Sequence, residues 1–358
     1  MNENVAEKIK KIFLWPAPQY LCERNSILDT MDFRTQVDAK ADFAIGYSDK
    51  IMMMGSCFAE NIGQKMRQAK LDVLVNPFGI LFNPESIAIA LEQAMSGKKV
   101  EAGDVFFHNG LWSGFGFHGS FSSPDKDVAL RKMNDGITAA NSRLANLTLL
   151  IITFGSAFVY RNAADGRVVA NCHKLPASNF VREMLSVDFI SNRYSVLVER
   201  LTSFNPDLQI VLTVSPVRHL RDGAHQNQLS KSTLLLAADN VVSKFANVHY
   251  FPSYELLLDD LRDYRFYDTD MVHPSAVAVD YIWQNIRNNC IDKADNALMD
   301  EISKIITAAN HRPLNPDTEE HKQFAKRQLE ITTQFAKSHP YIDLSEEILK
   351  LETALKPI

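Results

Sequence analysis

Two short strings carry the groups able to do covalent chemistry. In Gly55-Ser56-Cys57-Phe58, a glycine ends the apolar run Ile51–Met54 and permits a sharp turn into a segment of helical period. The side chains of Ser56 and Cys57 then fall at a helix N-terminus, where unpaired amides and the helix dipole favour negative charge. A thiol there is expected to ionise more easily than a free one, which makes Cys57 a nucleophile candidate, whereas Ser56 needs a neighbouring base. The competing reading is that Ser56 caps the helix and Cys57 packs as a small apolar side chain. The second string is Asp270-Met271-Val272-His273-Pro274. An Asp three residues before a His folds back in a tight loop, accepts the ring N–H, fixes the tautomer and leaves the other nitrogen outward as a base. Pro274 pre-sets the first turn of the next helix. Here the competing reading makes Asp270 a cap and His273 a satisfied core residue.

These strings must be mounted on elements. Strand-length apolar runs recur at Ile51–Met54, Leu71–Val75, Leu147–Phe154, Leu208–Val214 and Val248–Phe251, each followed by a segment of helical period. That alternation predicts a parallel sheet covered by helices on both faces. The helices are expected at Phe58–Ala69, Glu85–Met95, Leu185–Phe204, Asn227–Phe245 and Ser275–Ile291. The fold class is α/β, a three-layer α/β/α core with a five-stranded parallel sheet spanning about residues 31–291. Residues 1–30 read as an N-terminal extension. From residue 292 to 358 the chain reads as a helical tail packed on the core, with helices at Ala297–Ala309, Thr318–Ser338 and Leu344–Leu355.

In such a sheet, ligands bind at the carboxyl ends of the strands. The residues that follow the expected strands are Gly55-Ser56-Cys57, Asn76-Pro77-Phe78-Gly79, Gly155-Ser156, Ser215-Pro216-Val217-Arg218-His219 and, before the last core helix, Asp270 to Pro274. Small, polar and ionisable residues therefore converge on one sheet edge.

Composition narrows the class. Of 358 residues, 46% are hydrophobic and 23% charged, ordinary for a globular chain with a large core. Thirty-eight Lys and Arg against forty-three Asp and Glu give a net charge of −5, and no stretch gathers positive charge as a phosphate-tracking surface does. Nucleic acid is not an expected partner. Cys22, Cys57, Cys172 and Cys290 form no CxxC pair, so neither a disulfide framework nor a zinc knuckle is implied. His118, His173 and His219 show no HxH or HExxH spacing, and no metal site or cofactor is expected. Lys8, Lys10 and Lys11 precede only four apolar residues before Pro16, too short a run for a signal peptide, and no run is long enough for a membrane span. A cytoplasmic protein is expected.

The two chemical strings together resemble the SGNH, or GDSL-type, hydrolase superfamily, whose nucleophile follows the first strand and whose DxxH lies near the domain end. More closely, the chain resembles the GSCFA family, through Gly55-Ser56-Cys57-Phe58-Ala59 itself, Phe33-Arg34-Thr35, Asn76-Pro77-Phe78-Gly79 with Asn83-Pro84, and Asn171-Cys172-His173-Lys174. Ser215 to His219, Asp263 to Tyr267 and His311-Arg312-Pro313 extend the resemblance over about residues 31–325. It implies a three-layer α/β/α fold. Laying the superfamily's Gly-Asp-Ser on Gly55-Ser56-Cys57 puts the nucleophile at Cys57. The superfamily's third block falls on Gly155-Ser156-Ala157-Phe158, which lacks the asparagine that donates to the oxyanion.

The expected activity is hydrolysis of an acyl ester through a covalent acyl-enzyme, with Cys57 or Ser56 as nucleophile, His273 as base and Asp270 as its orienter. The amides of Cys57 and Gly79 are expected to bind the oxyanion, with Asn76, Asn83 or Asn171 as side-chain donors. His173, Arg218 and His219 complete the candidate substrate contacts, and Arg218, Arg262 and Arg265 compete between clamping a substrate anion and structural pairing. Trp112, Phe115, Phe117 and Phe121, set among glycines, read either as an apolar lid or as loop packing. The partner expected is a small-molecule or glycan acyl ester. Two rivals share the fold: an acyltransferase carrying the acyl group from a thioester to a glycan or other hydroxyl, and a binding protein without catalysis.

Overall fold

Ile51–Met54 has no polar side chain and every one of its residues is buried, which a strand covered on both faces requires. The computed structural model describes residues 34–315 and 318–356. Its contacts divide the chain into Met1–Gln36 and Val37–Ile358. The readings for the extension, for Cys22 and for Phe33 fall outside the described residues.

In chain order, β1 (Ile51–Gly55) enters α1 (Cys57–Gln68) and returns as β2 (Val73–Val75). Then follow α2 (Pro84–Ser96), the hairpin β3 (Phe106–His108) and β4 (Leu111–Ser113), α3 (Lys126–Leu144) and β5 (Leu149–Phe154). A small antiparallel sheet of β6 (Phe158–Asn162), β7 (Val168–Val169) and β8 (Phe180–Met184) precedes α4 (Val187–Phe204), β9 (Gln209–Val214), α5 (Gly223–Val242) and β10 (Val248–Tyr250). A π-helical turn at Leu256–Leu261 and α6 (Ala276–Cys290) come next, followed by α7 (Lys293–Ala309), α8 (Glu319–Ser338) and α9 (Ser345–Ala354).

The main sheet is parallel, in the order β10-β9-β5-β1-β2. Its five strands are the five expected, differing at their ends by one or two residues. Side chains alternate strictly between layers. Met52, Met54, Leu150, Ile152, Ile210 and Leu212 pack with α2 to α5, while Ile51, Met53, Leu149, Ile151 and Val211 pack with α1, α6 and α7. The result is a three-layer α/β/α core. From β1 the chain turns one way to β2 and later crosses back to β5 on the other side of β1, so the crevice of this sheet opens at the carboxyl ends of β1 and β5.

Helix α3 was not among the expected elements. Its buried residues, Ala129, Met133, Ile137, Ala140 and Leu144, do have helical spacing, but two are alanines and Gly136 interrupts the pattern. That glycine is needed: a Cβ there would stand 2.3 Å from the Pro77 carbonyl oxygen. The strands β3, β4 and β6 to β8 are short and half-buried, which weakens their period-2 signal. The aromatic loop is packing. Phe117 is buried against Phe78 and Phe121, with ring centroids 5.2 and 5.3 Å apart, and Phe115 packs on Phe106.

The helices after α6 share the core. Met299, Ile302 and Ile305 of α7 and Phe335 of α8 are buried in the same apolar layer as α1 and α6. Lys70 bonds Glu347 at 2.8 Å, and the Tyr47 amide donates to Asp295 at 3.0 Å. No helix among the described residues is long and apolar enough to cross a membrane.

Candidate active site

The strand-to-helix turn is shaped by Gly55. Its φ is +146°, and a Cβ there would lie 2.3 Å from the carbonyl oxygen of Thr153 on β5, so neither the dihedral nor the space admits a side chain. The Gly55 amide donates to Asn76 Oδ1 at 2.9 Å, and Asn76 Nδ2 donates to Glu60 at 3.0 Å. Asn76 thus ties β1, the loop after β2 and the first turn of α1 together. Ser56, 1% exposed, is the helix N-cap, its Oγ accepting from the Phe58 amide at 3.3 Å. Cys57 is only partly buried. Of the two side chains, the thiol has the open side.

Burial pushes the Cys57 thiol above its usual pKa. The N–H groups of Cys57 and Phe58 and the charge of Lys231 act in the opposite direction without overcoming it, and the Asp270 carboxylate adds to the rise. The expectation of an easily ionised thiol is therefore corrected. The helix amides are present, but desolvation by the layer that covers them is larger.

The second string folds as its spacing demands. Asp270 Oδ1 accepts the amides of Val272 at 2.8 Å and His273 at 2.9 Å, while Oδ2 lies 2.6 Å from His273 Nδ1. Met271, between them, takes the left-handed conformation at φ +57° that closes the loop. The His273 amide, its ring and the Val272 amide hold the Asp270 carboxyl down at about 2. Both side chains are about half exposed. Carboxylate occupancy of Nδ1 leaves Nε2 of His273 as the outward nitrogen. The Asp270 carboxylate adds a little to the rise of the Cys57 thiol, and the His273 charge helps to lower His219.

Between them lies the turn after β5. A Cβ on Gly155 would sit 2.9 Å from the Phe82 carbonyl oxygen and 3.3 Å from His219 Nε2. His219 donates its amide to Asn227 at 2.8 Å, and its buried Nε2 has no hydrogen-bond partner. Burial first, then the charges of Lys231 and His273, hold its pKa down at about 3, so the ring is neutral. Lys231 is a residue the sequence reading missed. It is 1% exposed and donates to the carbonyl oxygens of Gly155 and Ser215, both at 2.6 Å. A signal was available: Lys231 stands in the buried stripe Asn227, Ser230, Lys231, Leu234 and Ala238 of α5.

The other expected residues have structural duties. The Gly79 amide donates to the Asn76 carbonyl oxygen at 2.7 Å and is already engaged, which corrects its assignment as an oxyanion donor. Asn76 is the brace described above. Asn83 caps α2 through the Ser86 amide at 2.8 Å. Asn171 accepts the His173 amide at 2.8 Å, and His173 Nε2 lies 2.9 Å from the Gly114 carbonyl oxygen, both beside the aromatic loop. Arg218 braces the Asp270 loop, its amide donating to Val272 at 3.0 Å and its guanidinium lying over Tyr267 at 5.3 Å. Arg265 pairs with Asp263 at 3.8 Å and lies over Phe266. Beside this loop opens a cavity of about 230 Å³, lined by Arg218, Asn227, Tyr254, Arg262 and Tyr267 among others. Among the described residues, no three His, Cys, Asp or Glu side chains cluster as metal ligands.

Two solved structures align with the chain. A carbohydrate esterase family 3 protein from Talaromyces cellulolyticus is 8% identical with a TM-score of 0.31, covering 71% of this chain and 98% of its own. An acetyl xylan esterase from the rumen bacterium Butyrivibrio proteoclasticus is 10% identical with a TM-score of 0.33, covering 68% of this chain and 64% of its own. No curated protein matches. The GSCFA family matches residues 50–286, and the C-terminal domain of GSCFA domain proteins matches residues 302–357. With more than half its length matched, from the Gly55 turn to the helix that follows His273, the chain belongs to the GSCFA family.

Proposed function

We propose that the chain hydrolyses small acyl esters through a thioester on Cys57. The observation that carries this reading is the Asp270–His273 dyad, with its 2.6 Å contact, at the same sheet edge as a partly open thiol on a helix N-terminus. In the reaction, His273 Nε2 takes the thiol proton while the sulfur bonds to the acyl carbon. The tetrahedral oxyanion collapses with cleavage of the C–O bond, and His273 returns the proton to the departing alkoxide. Water, deprotonated by the same nitrogen, then releases the acid and restores the thiol. Oxyanion charge is met by the Cys57 amide and by the neutral, unpartnered His219 ring in place of the absent asparagine. The cavity beside Arg218, with its tyrosines and amides, takes the alcohol portion and suits a sugar hydroxyl.

The test is turnover of a chromogenic acetyl ester by wild type, Cys57→Ala, Ser56→Ala and His273→Ala. Cys57→Ala and His273→Ala should remove nearly all turnover, and Ser56→Ala should act mainly through the lost cap, about 1 kcal/mol of stability. An active Cys57→Ala with a dead Ser56→Ala moves the nucleophile to Ser56. Activity in both ends the covalent reading. A parallel arm with acetyl-CoA and glycan acceptors separates transfer from hydrolysis.

A further inference from the structure

A guanidinium that faces a cavity without a carboxylate partner keeps its charge and its fork of donors for another oxyanion. The cavity of about 230 Å³ beside the Asp270 loop is lined by two arginines, Arg218 and Arg262. Among the described residues no carboxylate pairs with either. Arg218 Nη1 lies 3.4 Å from the Met271 carbonyl oxygen and its guanidinium 5.3 Å from the Tyr267 ring centroid, which fixes the fork and leaves most of its donors open. Arg262 ends the π-helical turn in the left-handed conformation, at φ +43°, with its amide donating to the Leu257 carbonyl oxygen at 3.0 Å. A glycine would take that backbone without strain, so the side chain rather than the turn accounts for an arginine there. The acid on the same wall, Asp263, is already balanced: it accepts the Arg265 amide at 3.0 Å and lies 3.8 Å from the Arg265 guanidinium. Nearby, Glu255 accepts the Tyr250 hydroxyl and Asp260 that of Tyr281.

The cavity is built onto the residues on either side of His273. Arg218 donates its amide to the Val272 carbonyl oxygen at 3.0 Å, and Tyr267, also on the wall, pairs through its backbone with Pro274. A group seated there is therefore next to the dyad.

We infer that this cavity selects an alcohol portion that carries an oxyanion, the carboxylate of an acidic sugar or the phosphate of a sugar phosphate, held by Arg218 and Arg262. Either anion presents two oxygens to a planar fork. The rings of Tyr254 and Tyr267 line the same space and give the sugar its apolar contact. The inference rests on the esterase reading for what the anion is attached to, and binding alone tests the anion.

The experiment compares kcat/KM of the full chain for three aryl acetates that differ only in the group opposite the ester: 4-acetoxybenzoate, 4-acetoxyphenyl phosphate and the neutral methyl 4-acetoxybenzoate, each divided by its uncatalysed rate. Wild type should favour an anionic ester over the neutral one by about tenfold, the effect of one charge-assisted contact. The larger of the two preferences names the carboxylate or the phosphate as the source. Arg262→Gln, a change at an exposed position, should lose that preference, and Arg262→Glu should reverse it. A wild-type preference that is absent, or unchanged in Arg262→Gln, would overturn the inference while leaving the esterase reading in place. If no ester is hydrolysed, melting temperatures at fixed ionic strength decide. Glucuronate or glucose 6-phosphate, and not glucose, should then raise the melting temperature of wild type more than that of Arg262→Gln. That result would keep the anion site and remove the esterase reading, whereas equal shifts in the two proteins would overturn the inference.

Discussion

Asp270 Oδ2 lies 2.6 Å from His273 Nδ1, and the other oxygen of the same carboxylate accepts the amides of Val272 and His273. One side chain therefore fixes both the loop and the ring. Asp270→Asn removes the charge and presents an amide able to select the wrong tautomer, so turnover should fall on the order of a thousandfold with little change in fold.

The same contact has a pH signature. The folded Asp270 carboxyl is held at about 2, below its usual 3.8, so its contribution to stability is complete above about pH 4 and is lost as pH falls toward 2. The melting temperature of wild type minus that of Asp270→Asn should be largest above pH 4 and shrink between pH 4 and 2. A difference independent of pH in that window would mean the carboxylate is not held as described.

Gly55 and Gly166 both have positive φ, +146° and +71°, but only at Gly55 does a Cβ meet backbone, 2.3 Å from the Thr153 oxygen. Gly166→Ala should cost about 1 kcal/mol, the strain of the left-handed region alone. Gly55→Ala must displace a central strand and should cost roughly 3 kcal/mol or more, with loss of soluble protein. Thermal melts of the two variants make the comparison.

The His219 ring is neutral with its Nε2 unpartnered. If that nitrogen donates to the oxyanion, His219→Ala should lower kcat about a hundredfold with KM little changed. His219→Gln, which keeps a donor, should recover part of the loss. Equal losses of kcat and stability in both variants would mark His219 as packing only.

Ile302 of α7 is fully buried in the layer that also holds α1 and α6. Ile302→Ala should therefore cost about 3 kcal/mol, a core value rather than a surface one. Truncation after Asp292, which uncovers the whole patch, should lower the melting temperature of the remaining core. An unchanged melting temperature would make α7 to α9 an independent appendage.

Much of this was legible before any coordinates. An unbroken apolar run such as Ile51–Met54 has no solvent face to offer, so it must be a central strand, and three residues from Asp270 to His273 is a distance that a single turn closes. Both are local statements, and spacing along the chain carries them. Helix α3 escaped because its core stripe is partly alanine and is broken by Gly136, whose reason for being there is the Pro77 carbonyl, 59 residues earlier in the chain by their numbers. The electrostatics of the site were decided by tertiary structure alone. Whether Cys57 ionises easily depends less on its own helix than on the layer that buries it. The Gly79 amide is withdrawn from substrate by the turn it closes, and Lys231 matters only because α5 carries it onto the ends of β5 and β9. Desolvation and long-range fields depend on which residues fold together from distant parts of the chain, and spacing along a sequence does not encode them.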